Sequence, residues 1–260
     1  MKLLFIGDVV GRPGRQALAR KLPEIQQLNE IDFTVVNGEN AAAGFGVTKS
    51  VLIDLYAAGA DCVTTGNHVW AQKEVESLID NEVRLLRPDN YPSGVPGCGT
   101  GVYETATGIS VAVANLLGRV FMAPLECPFA WVDEVLPRLR ERADVVVIDF
   151  HAEATSEKQA FARSCDGQAS AVIGTHTHVQ TADERILPGG TAFMADAGMT
   201  GPIESIIGTE IEPILRRFRT QLPTRFKIAK GVVEVCGAII EIDEATGRAR
   251  GIERLRERLD

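Results

Sequence analysis

The fold class this sequence predicts is α/β: two β-sheets packed face to face with helices on the outside. Three observations lead there. Strand and helix signals alternate through the first half, which implies parallel strands joined by crossover helices. Hairpin signals mark the middle and the last third and add antiparallel strands. Apolar strands also end repeatedly in polar turns, and in an open α/β sheet the carboxyl ends of strands are where ligands sit.

The elements follow in order. Leu3 to Ile6 reads as a strand and Gly14 to Leu28 as a helix, with Pro13 where a first-turn proline is tolerated. Phe33 to Val36 is the next strand, and Thr48 caps a helix running to Ala58. Cys62 to Thr65 is a strand and Gln72 to Ile79 a helix. Val102-Tyr103-Glu104-Thr105 and Ile109 to Ala114, joined by Ala106-Thr107-Gly108, form a hairpin. A helix from Trp131 to Arg142 returns to the strand Val145 to Ile148, and a helix from Ser156 to Arg163 leads to Ala171-Val172-Ile173. Thr191 to Ala195, Val232 to Ile242 and Arg248 to Leu255 complete the strands. No repeat or linker divides the chain, so residues 1–260 read as a single domain.

Composition narrows the function. Hydrophobic residues make up 45% and charged residues 24%, the balance of a soluble globular enzyme. A formal charge of -8 argues against a protein that holds nucleic acid stably, since neutralising phosphates needs clustered Lys and Arg. The local cluster Arg216, Arg217, Arg219, Arg225 and Lys227 reads as a solvated face, with a grip on an anionic ligand as the alternative. Five cysteines without Cys-x-x-Cys spacing suit a reducing cytosol. No signal-peptide pattern precedes the first strand, and no apolar run approaches the roughly 20 residues that span a bilayer. The expected compartment is the cytoplasm, with no membrane partner; a homo-oligomer is left open.

The chain has four histidines, all just after apolar strands: His68 in Gly66-Asn67-His68, His151 after Asp149-Phe150, and His176 and His178 in Gly174-Thr175-His176-Thr177-His178. Two further strands run into Gly7-Asp8 and Asn37-Gly38-Glu39-Asn40. Alone, each residue has an ordinary reading. Asp8 serves as a turn former, Asn67 as a residue for a left-handed turn, and His151 as a core histidine bonded to Glu153. Together they offer Asp, Glu, Asn and His donors from one sheet edge, enough for two adjacent first-row metals. His176 and His178 are two apart, so in an extended segment both imidazoles face the same way. Val9-Val10-Gly11-Arg12-Pro13 is no phosphate-binding loop, because no Gly-Lys-Ser/Thr follows. The glycines of Gly44-Phe45-Gly46 make a turn, whose amides at the next helix start offer contacts to a phosphate.

These ordered blocks resemble the calcineurin-like metallophosphoesterases and, more closely, their bacterial YmdB-type family, described as phosphodiesterases acting on cyclic nucleotides. The resemblance runs from Leu3 to the terminal hairpin. It implies a four-layer α-β-β-α sandwich with a dinuclear site at the sheet edges. It makes Asp8, Glu39, Asn40 and His178 the ligands of one metal and Glu39, Asn67, His151 and His176 those of the other, with Glu39 bridging. His68 resembles the general acid. The wider superfamily has a histidine where this chain has Val10 and Asp where it has Glu39, so Asn40 fills the lost position. It also places an acid after the Gly-Asn-His block, where Val69-Trp70 stands here.

The expected cofactors are two divalent or trivalent ions, with iron or manganese favoured over zinc because the donors are oxygen-rich and lack thiolate. The expected reaction is attack of a metal-bridged hydroxide on a small phosphodiester, a 2',3'- or 3',5'-cyclic nucleotide, with His68 protonating the leaving ribose oxygen. The substrate-binding residues are not identified. The alternatives are a phosphomonoesterase or nucleotidase using the same metal pair, and a metal-binding regulatory protein with weak catalysis, which has no need of His68. A dinuclear amidohydrolase is disfavoured, because its His-x-His follows the first strand.

Overall fold

Alternation along the first strand divides the molecule into layers, because successive side chains of a strand point to opposite faces. Leu4 and Ile6 pack with helical Leu18, Leu22, Leu52 and Leu55. Leu3 and Phe5 pack the other way, with Val111, Val147 and Ile173 of a second sheet. A third core joins that second sheet, through Val146, Ile148 and Phe150, to helical Trp131, Leu136 and Phe161. Three cores between four layers make the α-β-β-α sandwich.

The computed structural model describes residues 1–259. Its first half runs β1 (Lys2–Ile6), β2 (Asp8–Val9), α1 (Gly11–Asn29), β3 (Phe33–Asn37), α2 (Lys49–Ala58) and β4 (Cys62–Thr64). A broken stretch follows: a 3-10 turn at Val69–Ala71, the short α3 (Val75–Leu78), a 3-10 turn at Ile79–Asn81 and β5 (Leu85–Leu86). Then come β6 (Thr100–Glu104), β7 (Ser110–Leu117), α4 (Pro128–Glu134), α5 (Leu136–Arg140), β8 (Val145–His151), α6 (Thr155–Ser164) and β9 (Ala171–Thr175). The last third holds β10 (Arg185–Ile186), β11 (Ala192–Met194), β12 (Met199–Pro202), α7 (Ile211–Thr220), β13 (Val233–Ile242) and β14 (Ala249–Leu259).

One sheet has the order β2-β12-β13-β1-β3-β4-β5, with β14 paired to β13; the other has the order β10-β11-β9-β8-β7-β6. β1, β3, β4 and β5 are mutually parallel, and so are β7, β8, β9 and β11. The carboxyl ends of both parallel sets meet at one edge of the sandwich, which is where the site lies.

Several expectations are corrected. Among the named strands, antiparallel pairing is confined to the β6–β7 and β10–β11 pairs and to β13, which pairs with β12, β14 and β1, so the second half is not antiparallel throughout: the centre of the second sheet is parallel. The helix read over Gln72 to Ile79 is a chain of single turns. The helix read over Trp131 to Arg142 divides at Val135, two residues before Pro137, a residue that brings no N–H to continue the ladder. α7 was not foreseen. It carries Arg216, Arg217 and Arg219 and buries none of its residues, so that part of the basic run is a solvated face. Thr48 does cap α2, its hydroxyl accepting from the Val51 amide at 3.3 Å. No helix among the described residues is long and apolar enough to cross a membrane.

Candidate metal centre

The predicted site residues converge from five strand ends. Glu39 and Asn40 follow β3, Asn67 and His68 follow β4, His151 ends β8, His176 and His178 follow β9, and Asp8 lies just beyond β1. His151 Nε2 sits 3.0 Å from Glu39 Oε1, 3.0 Å from Asn67 Oδ1 and 3.0 Å from His176 Nδ1. Donor atoms of Glu39, His151 and His176 all lie within 4.8 Å of one another. A single N–H cannot serve three lone-pair atoms at once, whereas a cation among them can. On the other side, His178 Nε2 lies 3.2 Å from Asn40 Oδ1 and 3.9 Å from Asp8 Oδ1. Asp8 is wholly buried and its Oδ1 has no hydrogen-bond partner. An orphaned carboxylate oxygen carries a large desolvation cost, which a cation would offset. Both donor sets fit metal ions.

The ionisation of the site agrees. Burial alone would lower the His151 imidazole, but the Glu39 carboxylate bonded to it, with Asp8 and Asp149 behind, carries it up to about 9. Burial opposes ionisation of Glu39, yet His151 and His68 hold its carboxyl down at about 2. Burial and the neighbouring His151 push His176 down to about 3, leaving it neutral, the form that ligates. Burial raises Asp8 against the pull of His178 and His151. The cavity thus concentrates carboxylate charge that positive charge must balance.

His176 and His178 reach the site by a route the spacing did not anticipate. Both have left-handed backbones, with φ of 97° and 66°, in place of the extended geometry expected. Asn67 shows the reverse: it is not among the residues with positive φ, so its place is not explained by a left-handed turn. Glu153 pairs with His176 Nε2 at 3.2 Å, not with His151. Gly66 is required by close approach, because a Cβ there would collide with Glu39 Oε2 and with the His151 ring, whose Nε2 would lie 2.5 Å away.

His68 stands beside these candidate ligands. Its amide donates to Glu39 Oε2 at 3.2 Å, and its Nε2 lies 3.3 Å from Asn67 Nδ2. Phe45 supplies the orienting contact that the missing acid left unexplained: its ring and the His68 ring pack nearly perpendicular, with centroids 4.9 Å apart. Burial lowers the His68 imidazole, partly countered by Glu39. His68, Glu39, Asn40, His176 and His178 line part of a cavity of about 260 Å³.

The model of the YmdB-like protein family matches residues 4–255. The chain belongs to that family. It is 49% identical to the 2',3'-cyclic-nucleotide 2'-phosphodiesterase of Bacillus subtilis, over 98% of this chain and 96% of that protein. A phosphatase of Mycoplasma pneumoniae has a similar crystal structure, with a TM-score of 0.93 and 34% identity over 99% of this chain and 93% of that one. A hypothetical protein of Thermus thermophilus matches with a TM-score of 0.92 and 43% identity, over 99% of both chains.

In this member of the YmdB-like family, the residues that support the candidate ligands were not found from sequence. Thr175 Oγ1 donates to Asp149 Oδ1 at 2.7 Å, so at 2.8 Å from His151 Nδ1 it accepts from that nitrogen and leaves Nε2 free to face the site. Asp149 also accepts from Asn37 at 2.8 Å and from Thr64 at 2.5 Å. His178 Nδ1 donates to the Ile207 carbonyl at 3.0 Å, which again turns Nε2 inward. Asp196 Oδ2 accepts from the Thr177 amide at 3.0 Å and its hydroxyl at 2.7 Å, holding the loop between the two histidines. Asp149, two residues before His151, was within reach of a sequence reading. Asp196 carried no local signal.

Proposed function

We propose that this chain is a dinuclear metal-dependent phosphodiesterase that hydrolyses 2',3'-cyclic nucleotides. The observation that carries the reading is the crowding of Glu39, Asn67 and His176 donors around His151 Nε2, beside the orphaned Asp8 oxygen. The name of the Bacillus subtilis relative supports the 2',3'-cyclic substrate over the 3',5' form. Asp8, Glu39, Asn40 and His178 would hold one ion and Glu39, Asn67, His151 and His176 the other, with Glu39 shared. Two cations in that position supply charge neutralisation at the phosphoryl group and an acidified water. Iron or manganese suits the oxygen-rich donors, and no cysteine lies among them.

The protein's own groups do the rest. Thr175 and the Ile207 carbonyl fix the imidazoles that face inward, so little reorganisation is needed when ligands engage. His68 lies beside the ligands and delivers a proton to the departing ribose oxygen, a poor leaving group without it. Phe45 and Asn67 hold its ring in place. The core shared between the two sheets supports residues 1–260 as one catalytic domain. The five cysteines, all free, support the cytoplasm as its compartment.

The deciding experiment joins elemental analysis of the metal-reconstituted protein with assays on cyclic nucleotides, linear diesters and monoesters. Two ions per chain and fastest turnover of 2',3'-cyclic nucleotides are expected. Turnover of monoesters alone would replace the reading with a phosphomonoesterase, and tight metal binding without turnover of any ester would replace it with a regulatory metal-binding protein.

A further inference from the structure

We propose that the apolar wall of the catalytic cavity, built by Phe45, Ile214, Phe226 and Ile228, is a stacking subsite that accepts any of the four nucleobases. This rests on the cyclic-nucleotide reading of the same site. The cavity lining combines two sets of residues of opposite character. One is the cluster of metal-ligand candidates with His68; the other comes from the turn after Asn40 and from residues between Ile207 and Ile228, among them Ile214 and Phe226. These two segments touch, since a Cβ on Gly44 would lie 2.9 Å from Ile228 Cδ1.

Phe45 packs against His68 with the two rings nearly perpendicular and is 48% exposed, so part of an aromatic surface stands open beside the proposed acid. In a 2',3'-cyclic nucleotide the base sits on the same ribose as the reacting phosphodiester. The base therefore has to rest within one sugar of His68 and the ligand cluster, and this wall supplies the aromatic surface of that cavity. Every base has a π-face that can stack, and stacking is tolerant of base identity. Base edges meet few readers: apart from the ligand candidates and His68, the polar side chains lining the cavity are Thr209 and Lys227.

The test uses the metal-loaded full chain, the four 2',3'-cyclic nucleotides, and methyl riboside 2',3'-cyclic phosphate, which has the same reacting ester without a base. Phe226 is the residue to vary, because Phe45 also abuts His68. The wild type is expected to favour the nucleotides over the base-less ester by roughly 5- to 150-fold in kcat/KM, the scale of one stacked base. The four bases should agree within about ten-fold. Phe226→Ala should remove most of that preference through KM, and Phe226→Trp should retain it. No wild-type preference, an equal loss on both esters in Phe226→Ala, or one base favoured by more than about 100-fold would each overturn the subsite. If the wild type cleaves bis(4-nitrophenyl) phosphate but no cyclic ester, the function reading fails and the subsite is judged by binding. Equal Kd for adenosine 3'-monophosphate and ribose 3-phosphate then overturns it, while tighter binding of the nucleotide supports it.

Discussion

Lys158 Nζ on α6 lies 2.8 Å from Asp196 Oδ2, with the two side chains only 3% and 1% exposed. The same carboxylate oxygen holds the Thr177 amide and hydroxyl, so this buried pair ties an outer helix to the loop that presents His176 and His178. Removing one partner of a buried pair leaves a charge uncompensated, a loss of about 3–5 kcal/mol. Asp196→Ala is therefore expected to lower the urea midpoint sharply and to weaken metal binding. Lys158→Met combined with Asp196→Leu should recover much of the stability but not the metal affinity, because Thr177 still lacks its acceptor. Wild-type metal affinity in that double variant would refute the link.

Glu39 is the shared carboxylate of the two proposed ion positions. Glu39→Ala should lose both ions, since it removes a ligand from each and exposes their mutual repulsion. Asn40→Ala should weaken chiefly the ion near Asp8 and His178. Anomalous-scattering maps of the reconstituted variants read this directly. Two fully occupied ions in Glu39→Ala would show that the carboxylate does not bridge.

Thr175 sets the His151 tautomer through its hydroxyl, 2.8 Å from Nδ1. Thr175→Val keeps the shape and removes both the acceptor for His151 and the donor to Asp149. Metal affinity should fall about 10- to 100-fold, the usual scale for groups that orient a ligating histidine. Competition with a chelator measures it; unchanged affinity would mean that the β8 backbone alone orients the ring.

His68 meets the candidate ligands through its Nε2 at Asn67 Nδ2, an amide nitrogen that does not ligate, and through its backbone amide at Glu39. His68→Ala should keep both metals yet lose roughly 10²- to 10⁴-fold in turnover of an unactivated diester, the scale of general-acid catalysis. The loss should shrink with a nitrophenyl leaving group, which departs as a stable anion without a proton. Equal losses on both substrates, with metal content unchanged, would assign His68 to positioning the phosphate.

The strand ends were legible in the sequence because their signal is local. Apolar runs such as Val145 to Ile148, followed at once by Asp, Glu, Asn or His, announce both a strand and the polar group at its end, and the β-α alternation places such ends on one edge. The layer order was expected from the family resemblance, not from this strand, since Leu3-Leu4-Phe5-Ile6 is apolar throughout and only the structure sends Leu3 and Phe5 to one core and Leu4 and Ile6 to the other. Contacts that join distant parts of the chain had no such signature. The Phe45–His68 ring contact, the Lys158–Asp196 pair and the Ile207 carbonyl on His178 arise only when separate segments meet in space. The left-handed turns at His176 and His178 belong to the same class, because a positive φ is uncommon for any residue with a Cβ; the surrounding loop, held through Thr177 to Asp196 and through His178 to Ile207, fixes it. Which polar residues meet at the sheet edge was thus determined by local pattern, and how they are aimed was decided by tertiary packing, because orientation depends on partners that sequence separation hides.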